Sequence, residues 1–468
     1  MKTKTILPSY SDMNLHNARR RSFRILDDLE VSIEITSNPF ELPLETLFEM
    51  AARINKKRSF LFVSKVLGKH FPVNPYTPLM GGALLGLLFY KQKGYGGIMD
   101  QDEFRAAFLD PKVAEKIYQR IKSSPLELPD STLFIGFAET ATALGHSMFD
   151  IFSGPTKYIH TTRENVSGSG PSISFEEEHS HATSHRCYTL DHHFFKDTAA
   201  VVLVDDEITT GKTALNIIRQ LHAKSPTKEY IVASLLDWRS EEDKERFKQV
   251  ERELKISITC LSVLGGKILV NGNPVDRDYA KTFSHSGEPQ IFHHSAGHHF
   301  EHTPFASLYQ DGSRNERLFL KETGRFGLSG NDGPAIDERI SRCASDIRNQ
   351  RRGRKALCMG TGEFMYLPMR IAAEMGEEIF YQSSTRSPIH PYNEGNYTIR
   401  NCYSFQSHDD HSVINFFYNI DSGMYDEVFV FVERVASIGM LASLTNALKG
   451  TGIPIIHFVH FDNIQTEG

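Results

Sequence analysis

Short, continuous runs of apolar residues recur along the chain, and most are followed by a polar turn and a helical pattern of apolar positions. The runs of the first half lie at 131–137, 157–161, 199–205 and 229–236. Those of the second half lie at 355–359, 377–382, 413–419, 427–433 and 453–461. Apolar runs without alternation are typical of parallel strands that are buried on both faces. The pattern therefore predicts α/β architecture in both halves.

The stretches between the runs predict helices and domain boundaries. After the run 199–205, apolar residues recur at helix spacing, and the upstream stretches "PLETLFEMAARI" and "MGGALLGLLFYK" also read as helices. The segment 267–330 is polar, rich in His and Gly and weakly periodic, which favours a connection between domains. We predict an N-terminal, largely helical region at 1–110, a core domain at 111–266, this connecting segment at 267–330 and a second α/β domain at 331–468.

Composition narrows the class of protein. The 468 residues are 40% hydrophobic and 24% charged, and no run of 18 apolar residues offers a membrane span. The formal net charge of -6 argues against nucleic-acid binding by overall electrostatics. The N-terminus lacks the apolar stretch of a secretory signal, and the five cysteines lack disulfide-framework or C-x-x-C spacing. We therefore expect a cytoplasmic protein.

The two halves share a pattern of motifs. "FIGFAETATALG" leads to "YIHTTRE", and later "LCMGTGEFMYLP" leads to "FYQSSTRSP". Gly136 to Arg163 spans 27 positions, and Gly360 to Arg386 spans 26. We infer an ancient duplication. The alternative is that all doubly wound units share this order of strand, turn and helix, which explains the paired Gly-x-x-Glu and Thr-Arg less easily.

The stretch "VVLVDDEITTGKT" carries the clearest chemical signal. A nucleotide-triphosphate loop would need glycine where Asp206 stands, and a carboxylate there would repel the phosphates. Asp205 and Asp206 can instead accept hydrogen bonds from the vicinal hydroxyls of a ribose. The following turn opens a helix, whose backbone amides and hydroxyls can bind one phosphate monoester. That turn consists of Thr209, Thr210, Gly211, Lys212 and Thr213.

This stretch closely resembles the phosphoribosyl-pyrophosphate signature of type I phosphoribosyltransferases. The resemblance implies a type I phosphoribosyltransferase-like parallel sheet flanked by helices, followed by a degenerate α/β domain of related plan. It also implies transfer of ribose 5-phosphate to a nucleobase-like acceptor with release of pyrophosphate. Mg²⁺ would be held mainly by the substrate near Asp205 and Asp206. Glu207 departs from the family, which usually has an apolar residue there.

The resemblance assigns further roles. The turn of Ala138, Glu139 and Thr140 would hold the pyrophosphate, although an ordinary helix N-terminus is the alternative. Arg163 would neutralise the leaving pyrophosphate, unless it forms only a salt bridge. The Gly/Ser-rich stretch 166–188 would be a closing loop. From it we name Glu178 and His181 as catalytic candidates, with a metal cluster or a solvated loop as alternatives.

Residues outside the core would form a hood that selects the acceptor. Arg58, Lys65 and Lys69 in the N-terminal region suggest an anionic acceptor, and a solvated helix face is the equal alternative. We interpret Trp238 as a core residue. The His-rich stretch 293–302 lacks zinc spacing, so metal binding there is the minority interpretation.

The second half sharpens the resemblance. "SSTRSPIHP", "MGTGEFMYLP" and the upstream "RSFLFVSKVLGKH" are similar to a tellurite-resistance-operon-associated family whose C-terminal domain is named for its Thr-Arg-Ser-Pro motif. This resemblance implies a nucleotide-like product connected with stress or tellurite resistance. In "FVERVASIGM" one acid, Glu433, remains, so phosphoribosyl pyrophosphate is not expected there. Instead we suggest a second anion site, or a domain that only packs, with the site made of Gly360, Thr361, Gly362 and Arg386.

The sequence thus favours a phosphoribosyltransferase that acts on phosphoribosyl pyrophosphate and an unidentified small acceptor. A non-catalytic regulatory protein that binds the same ligand is the alternative. The reverse reaction and a homodimer both stay open.

Overall fold

A computed structural model describes residues 20–54, 58–96, 101–168, 170–176, 184–273, 275, 287–309 and 312–462. The helices of these residues are α1 (Leu44–Leu47), α2 (Tyr76–Gln92), α3 (Gln101–Leu109), α4 (Pro111–Ser123), α5 (Ala141–Phe149), α6 (Lys212–Lys224), α7 (Glu241–Leu254), α8 (Gly333–Arg348), α9 (Tyr366–Glu374) and α10 (Ala442–Lys449).

The strands of the first half are β1 (Arg20–Arg24), β2 (Glu30–Ser37), β3 (Phe48–Ala52), β4 (Phe60–Ser64), β5 (Leu126–Glu127), β6 (Thr132–Gly136), β7 (Phe152–Ser153), β8 (Thr156–His160), β9 (Asn165–Val166), β10 (Ile173–Glu176), β11 (Ser184–Cys187), β12 (Ala200–Ile208), β13 (Glu229–Asp237) and β14 (Ser257–Asn271). Those that follow are β15 (Gln290–Ser295), β16 (His302–Leu308), β17 (Arg314–Leu320), β18 (Leu328–Ser329), β19 (Ala356–Gly360), β20 (Ile379–Ser383), β21 (Cys402–Gln406), β22 (Ile414–Tyr418), β23 (Glu427–Val432) and β24 (Ile455–His460).

The first half is built on an eight-stranded sheet in the order β1-β2-β14-β13-β12-β6-β8-β18. Its five inner strands, from β14 to β8, are parallel, and antiparallel strands extend both edges. The central strand β12 is buried from Ala200 to Val204 because apolar side chains face helices on both sides of the sheet. Its polar residues begin where the strand leaves this core, at the carboxyl edge of the sheet.

The second half is built on a five-stranded parallel sheet in the order β15-β24-β23-β19-β20. In space, β24, β23, β19 and β20 repeat the order β13, β12, β6 and β8 of the first sheet. The fifth position is filled from different places in the chain, by β14 after β13 and by β15 before β19. The α/β prediction for both halves, and the related plan of the second, are confirmed.

Three local predictions were wrong. The stretch "PLETLFEMAARI" forms only the short helix α1 and then β3, which pairs with β4 in a hairpin. The run 413–419 forms β22, but this strand pairs with β21 outside the main sheet. The segment 267–330 contains β15, β16, β17 and β18, and so adds strands to both sheets. In each case strand pairing, which the local pattern does not encode, decides the structure.

The halves pack through equivalent helices, α5 after β6 and α9 after β19. The ring of His146 on α5 stacks on Tyr366 of α9 at a centroid distance of 3.5 Å. Arg370 of α9, only 4% exposed, donates to Asp150 Oδ2 at 3.0 Å and to Asp337 Oδ1 at 2.8 Å. Lys122 Nζ lies 2.7 Å from the other oxygen of Asp150. Burial opposes ionisation of Asp150, but Lys122 and Arg370 outweigh it and lower the pKa of this carboxyl.

No helix among the described stretches is both long and apolar enough to cross a membrane.

We predict that Arg370→Met lowers the free energy of unfolding by about 3 kcal/mol, because it leaves buried carboxylates short of a cation. Chemical denaturation monitored by tryptophan fluorescence measures this loss. The matched control is Arg342→Met on α8, where a 63% exposed arginine pairs with Glu338 and the loss should stay under about 1 kcal/mol. Equal losses in the two variants would contradict a structural role for the buried network.

Candidate active site

The end of β12 and the start of α6 enclose a cavity of about 100 Å³. Gly211 has a φ of 72°, and a Cβ on it would lie 2.4 Å from the ring of Phe247, so glycine is required by both conformation and space. The turn therefore brings backbone groups and threonine side chains around one concave surface at the N-terminus of α6. The residues that line this cavity are Phe137, Asp205, Glu207, Ile208, Thr209, Thr210, Gly211, Lys212, Thr213, Ala214 and Val232.

Asp205 lines this cavity, whereas Asp206 lines a separate cleft beside the hood residues Phe62 and Val66. Asp205 Oδ1 accepts a hydrogen bond of 2.9 Å from the backbone N–H of Asp206. Burial, and then the charge of Glu207, raise the pKa of Asp206 from 3.8 to about 6. A diol or a cation beside these carboxylates would relieve this unfavourable charge. Carboxylate oxygens are also the ligands that Mg²⁺ prefers, so the two residues fit a substrate-bound magnesium ion.

Glu207 is neutralised by the hood. Arg58, between β3 and β4, donates Nη1 to Glu207 Oε2 at 3.2 Å, and its other Nη binds the second oxygen. The guanidinium of Arg58 also lies over the ring of Phe60, 4.9 Å from its centroid. The departure from the family signature at Glu207 is thus matched by a cation elsewhere in the chain. This pair fixes the hood hairpin to the end of β12.

The turn of Ala138, Glu139 and Thr140 follows β6, and the Ala138–Glu139 peptide is cis. The Ala138 N–H donates to Thr161 Oγ1 at 2.8 Å. Glu139 is 7% exposed, and its Oε1 accepts from Nζ of the buried Lys69. Its Oε2 lies 3.4 Å from Nε of Arg386, which belongs to the second half. Burial opposes ionisation of Glu139, but Lys69 and Arg386 outweigh it and lower the pKa.

The second half repeats this turn. The Gly362 N–H donates to Ser384 Oγ at 3.0 Å, as Ala138 does to Thr161. Glu363 lies three residues after Gly360, as Glu139 lies three after Gly136. Glu363 also reaches across to the opposite half. Its Oε1 accepts from the backbone N–H of Arg163 at 2.8 Å, and its Oε2 accepts from Thr162 Oγ1 at 2.6 Å.

The second half differs where the first carries its acidic pair. Leu203 pairs with Ile135 in the first sheet, and Val430 pairs with Met359 in the second, where Ile135 and Met359 each precede the strand-terminal glycine. Counting along the strands from these pairs places Glu433 at the position of Asp206. Glu433 is 5% exposed and accepts two hydrogen bonds of 3.0 Å from Arg325.

A second buried arginine completes this network. Arg434 donates to Ser307 Oγ at 2.7 Å and to Glu164 Oε2 at 2.6 Å. Arg325 and Arg434 both lie over the ring of Phe319, at 4.6 and 3.7 Å from its centroid. Protein cations thus surround the position that corresponds to the acidic pair.

The remaining candidates lie apart from the cavity or outside the described residues. Lys65 pairs with Glu49 on its own hairpin at 2.6 Å. Trp238 is buried and stacks on Phe62 at 4.7 Å, as expected of a core residue. Thr361 Oγ1 donates to the backbone carbonyl of Phe431 at 3.0 Å.

The stretch 166–188 is not a plain loop, because β10 and β11 form a hairpin within it. The base of this hairpin is anchored beside Arg163: the N–H of Thr162 donates to the carbonyl of Arg186 at 2.8 Å, and the N–H of Arg186 donates back at 2.9 Å. Glu178 and His181 lie outside the described residues.

In the His-rich stretch, the ligand atoms of His298, His299 and Asp346 lie within 4.8 Å of one another. His299 Nε2 and Asp346 Oδ2 are 3.0 Å apart, and the Asp346 side chain is 61% exposed. Metal binding at this surface stays the minority interpretation.

Sequence reasoning missed Glu363, Arg325 and Arg434. The signal for Glu363 was present, because the Gly-x-x-Glu of the second half repeats that of the first. Its partner could not be read from the repeat, since each glutamate binds the opposite half. Arg325 lies in the segment that was interpreted as a connection, and nothing in its sequence neighbourhood indicates burial.

Two family matches cover most of the chain. Residues 47–267 match the family described as "Phosphoribosyl transferase". Residues 322–448 match the family described as "TRSP domain C terminus to PRTase_2". No curated protein matches the chain significantly.

Solved structures similar to the chain include purine phosphoribosyltransferases. The enzyme for adenine from Trypanosoma brucei, in complex with AMP, pyrophosphate and ribose-5-phosphate, is 20% identical over 33% of this chain and 65% of its own, with a TM-score of 0.22. The adenine enzyme from Giardia lamblia, complexed with 9-deazaadenine, is 15% identical over 36% of this chain and 84% of its own, with a TM-score of 0.21. A hypoxanthine enzyme from Staphylococcus aureus is 11% identical over 26% of this chain and 60% of its own, with a TM-score of 0.18. The chain thus spans less than two thirds of the first of these.

We predict that Asp206→Asn raises the melting temperature at pH 7.5 but leaves it unchanged below pH 4. The raised pKa means that the folded protein binds this proton more tightly than the unfolded chain, so stability falls as the pH rises between about 4 and 6. Asparagine cannot ionise and escapes this loss. Differential scanning calorimetry at the two pH values measures the effect.

The control for this experiment is Asp130→Asn, at an exposed position. It should change the melting temperature little at either pH. A lower melting temperature for Asp206→Asn at pH 7.5 would show that native contacts stabilise the carboxylate, contrary to this account.

Proposed function

The chain belongs to the phosphoribosyl transferase family that carries a TRSP domain at its C terminus, and we propose that it transfers the ribose 5-phosphate of phosphoribosyl pyrophosphate to a nucleobase-like acceptor. The observation that carries this proposal is the cavity at the end of β12, where Asp205 and the N-terminal turn of α6 line one concave surface and Asp206 adjoins Asp205 in the strand. One concave surface thus offers acceptors for a diol and donors for a phosphate.

The reaction breaks the bond between C1 of the ribose and the pyrophosphate oxygen, which leaves with the electron pair. A nitrogen of the acceptor forms the new bond to C1 and loses its proton. Positive charge develops on the ribose in the transition state, and we propose that Asp205 and Asp206 stabilise it while holding the hydroxyls. The turn from Thr209 to Thr213 would anchor the 5-phosphate and so fix the position of C1.

The pyrophosphate would lie against the turn of Ala138, Glu139 and Thr140, with Arg163 beside it. The Ala138 N–H already donates to Thr161, so the ligand would meet the rest of the turn, at Glu139 and Thr140. When bound, Mg²⁺ would neutralise charge on the pyrophosphate as it leaves. Asp205 and Asp206 are the residues of this chain that would face the ion.

The acceptor would enter from the hood. Apolar side chains of this region, including Leu47, Phe62 and Val66, line a narrow cleft that reaches Asp206 and Glu207. The cleft has a volume of about 20 Å³, so the hood would have to open for a planar, nucleobase-like ring to enter. The TRSP domain supports the further proposal that the product is a nucleotide-like metabolite connected with stress or tellurite resistance.

We predict that the combined variant Asp205→Asn, Asp206→Asn abolishes turnover, because it removes both charges that oppose the cationic transition state. Purified protein is incubated with phosphoribosyl pyrophosphate, Mg²⁺ and a metabolite extract, and mass spectrometry follows the consumed metabolite while a coupled assay follows pyrophosphate. Asp130→Asn, far from the charge pair in the sequence and exposed, should release pyrophosphate at the rate of the unaltered protein.

Unchanged pyrophosphate release by the double variant would refute these roles. If the protein binds phosphoribosyl pyrophosphate tightly but does not consume it with any acceptor, the result would instead support the non-catalytic, regulatory alternative.

A further inference from the structure

We propose that the TRSP half is a working part of the active site: Arg386 and Glu363 are positioning residues that hold the two pyrophosphate-binding elements of the first half. This inference rests on the proposed function and adds a role for the second domain. It replaces the separate anion site expected from the sequence around Arg386, because the structure directs this arginine toward Glu139.

The first element, the turn at Glu139, depends on charges that come from outside its own domain. Glu139 is 7% exposed, and its carboxylate would be costly to bury alone. Lys69 of the hood, 1% exposed, binds one oxygen, and Arg386 lies 3.4 Å from the other. Lys69 Nζ also donates to the carbonyl of Ser384 at 2.9 Å. The position of the turn is therefore set jointly by the hood and the TRSP motif.

The second element, the strand end that carries Arg163, is held by the opposite glutamate. Glu363 accepts from the Arg163 N–H at 2.8 Å and from the Thr162 hydroxyl at 2.6 Å. Arg325 Nη2 lies 3.5 Å from the same carboxylate and supplies a buried cation. Both oxygens of Glu363 thus bind the backbone or side chain of the strand end, which fixes where the Arg163 side chain begins.

The two contacts are reciprocal. In each half a glutamate three residues after a strand-terminal glycine reaches the Thr-Arg segment of the other half: Glu139 to Arg386, and Glu363 to Arg163. A rotation that exchanges the halves would exchange these contacts. At the position that corresponds to Asp206, the second half has Glu433, which is bound by Arg325. The reciprocal contacts of the two halves therefore support a single ligand site, in the first half.

The contact between Arg386 and Glu139 has room to change. Their Nε and Oε2 atoms are buried yet form no hydrogen bond with any described residue, although the charges lie within ion-pair distance. The Arg386 side chain is 31% exposed, whereas Lys69 is almost fully enclosed. The side of the turn that faces Arg386 is thus the adjustable side, and the side that faces Lys69 is fixed.

A positioning role and a purely structural role make different predictions for two ligands. Phosphoribosyl pyrophosphate contacts the pyrophosphate elements, whereas ribose 5-phosphate contacts only the carboxylates and the phosphate turn. Isothermal titration calorimetry with Mg²⁺ compares the two ligands and pyrophosphate itself. The variants are Arg386→Met, Arg386→Lys and Glu363→Gln, and the control is Arg400→Met, which alters a 58% exposed arginine of the same half.

We expect Arg386→Met to weaken the binding of phosphoribosyl pyrophosphate and of pyrophosphate about tenfold to a hundredfold, because the buried Glu139 carboxylate then lacks one of its neighbouring cations. The affinity for ribose 5-phosphate should change less than about twofold. Arg386→Lys should recover most of the affinity because it keeps the charge. Glu363→Gln should show the same ligand selectivity, and Arg400→Met should bind all three ligands like the unaltered protein.

The inference is overturned if Arg386→Met and Glu363→Gln bind phosphoribosyl pyrophosphate like the unaltered protein. It is also overturned if the variants lose affinity for phosphoribosyl pyrophosphate and for ribose 5-phosphate by the same factor. Failure of the proposed function gives a different result, because the unaltered protein would then bind neither phosphoribosyl pyrophosphate nor ribose 5-phosphate.

Discussion

Two buried glutamates, each paired across the boundary between the halves, are the constraint on which the arrangement of this protein depends. The side chains of Glu139 and Glu363 are 6% and 5% exposed, and neither finds its cations and donors within its own turn. A buried carboxylate without such partners would cost several kcal/mol, so separating the halves would be penalised at both places. The same contacts shape the turn and the strand end that we assign to pyrophosphate.

The two sheets show how one plan can carry unequal sites. Four strands occupy corresponding places, and equivalent turns make equivalent hydrogen bonds to Thr161 and Ser384. The difference lies at the end of the central strand. Asp206 lines a cleft beside the hood and has a raised pKa, whereas Glu433 is bound by Arg325 inside a buried network. One position is therefore ready to receive an external partner, and the other is satisfied by the protein itself.

Much of this fold could be predicted from the sequence, because buried parallel strands leave unbroken apolar runs and the motif at Asp205 to Thr213 is local. What failed depends on strand pairing and on contacts between residues far apart in the chain. The strand β3 resembles a helix until it pairs with β4, and the His-rich β15 becomes a strand only by joining β24. The pairing of Arg58 with Glu207 is likewise invisible locally, because 149 positions separate the two residues.

The stoichiometry of phosphoribosyl pyrophosphate binding tests the central claim most directly. Calorimetric titration of the whole chain with this ligand and Mg²⁺ should give one site per chain, because Arg325 occupies Glu433 at the corresponding position of the second half. Two sites per chain would contradict the closure of the second half by its buried arginines. Absence of binding would contradict the assignment of the cavity at the end of β12.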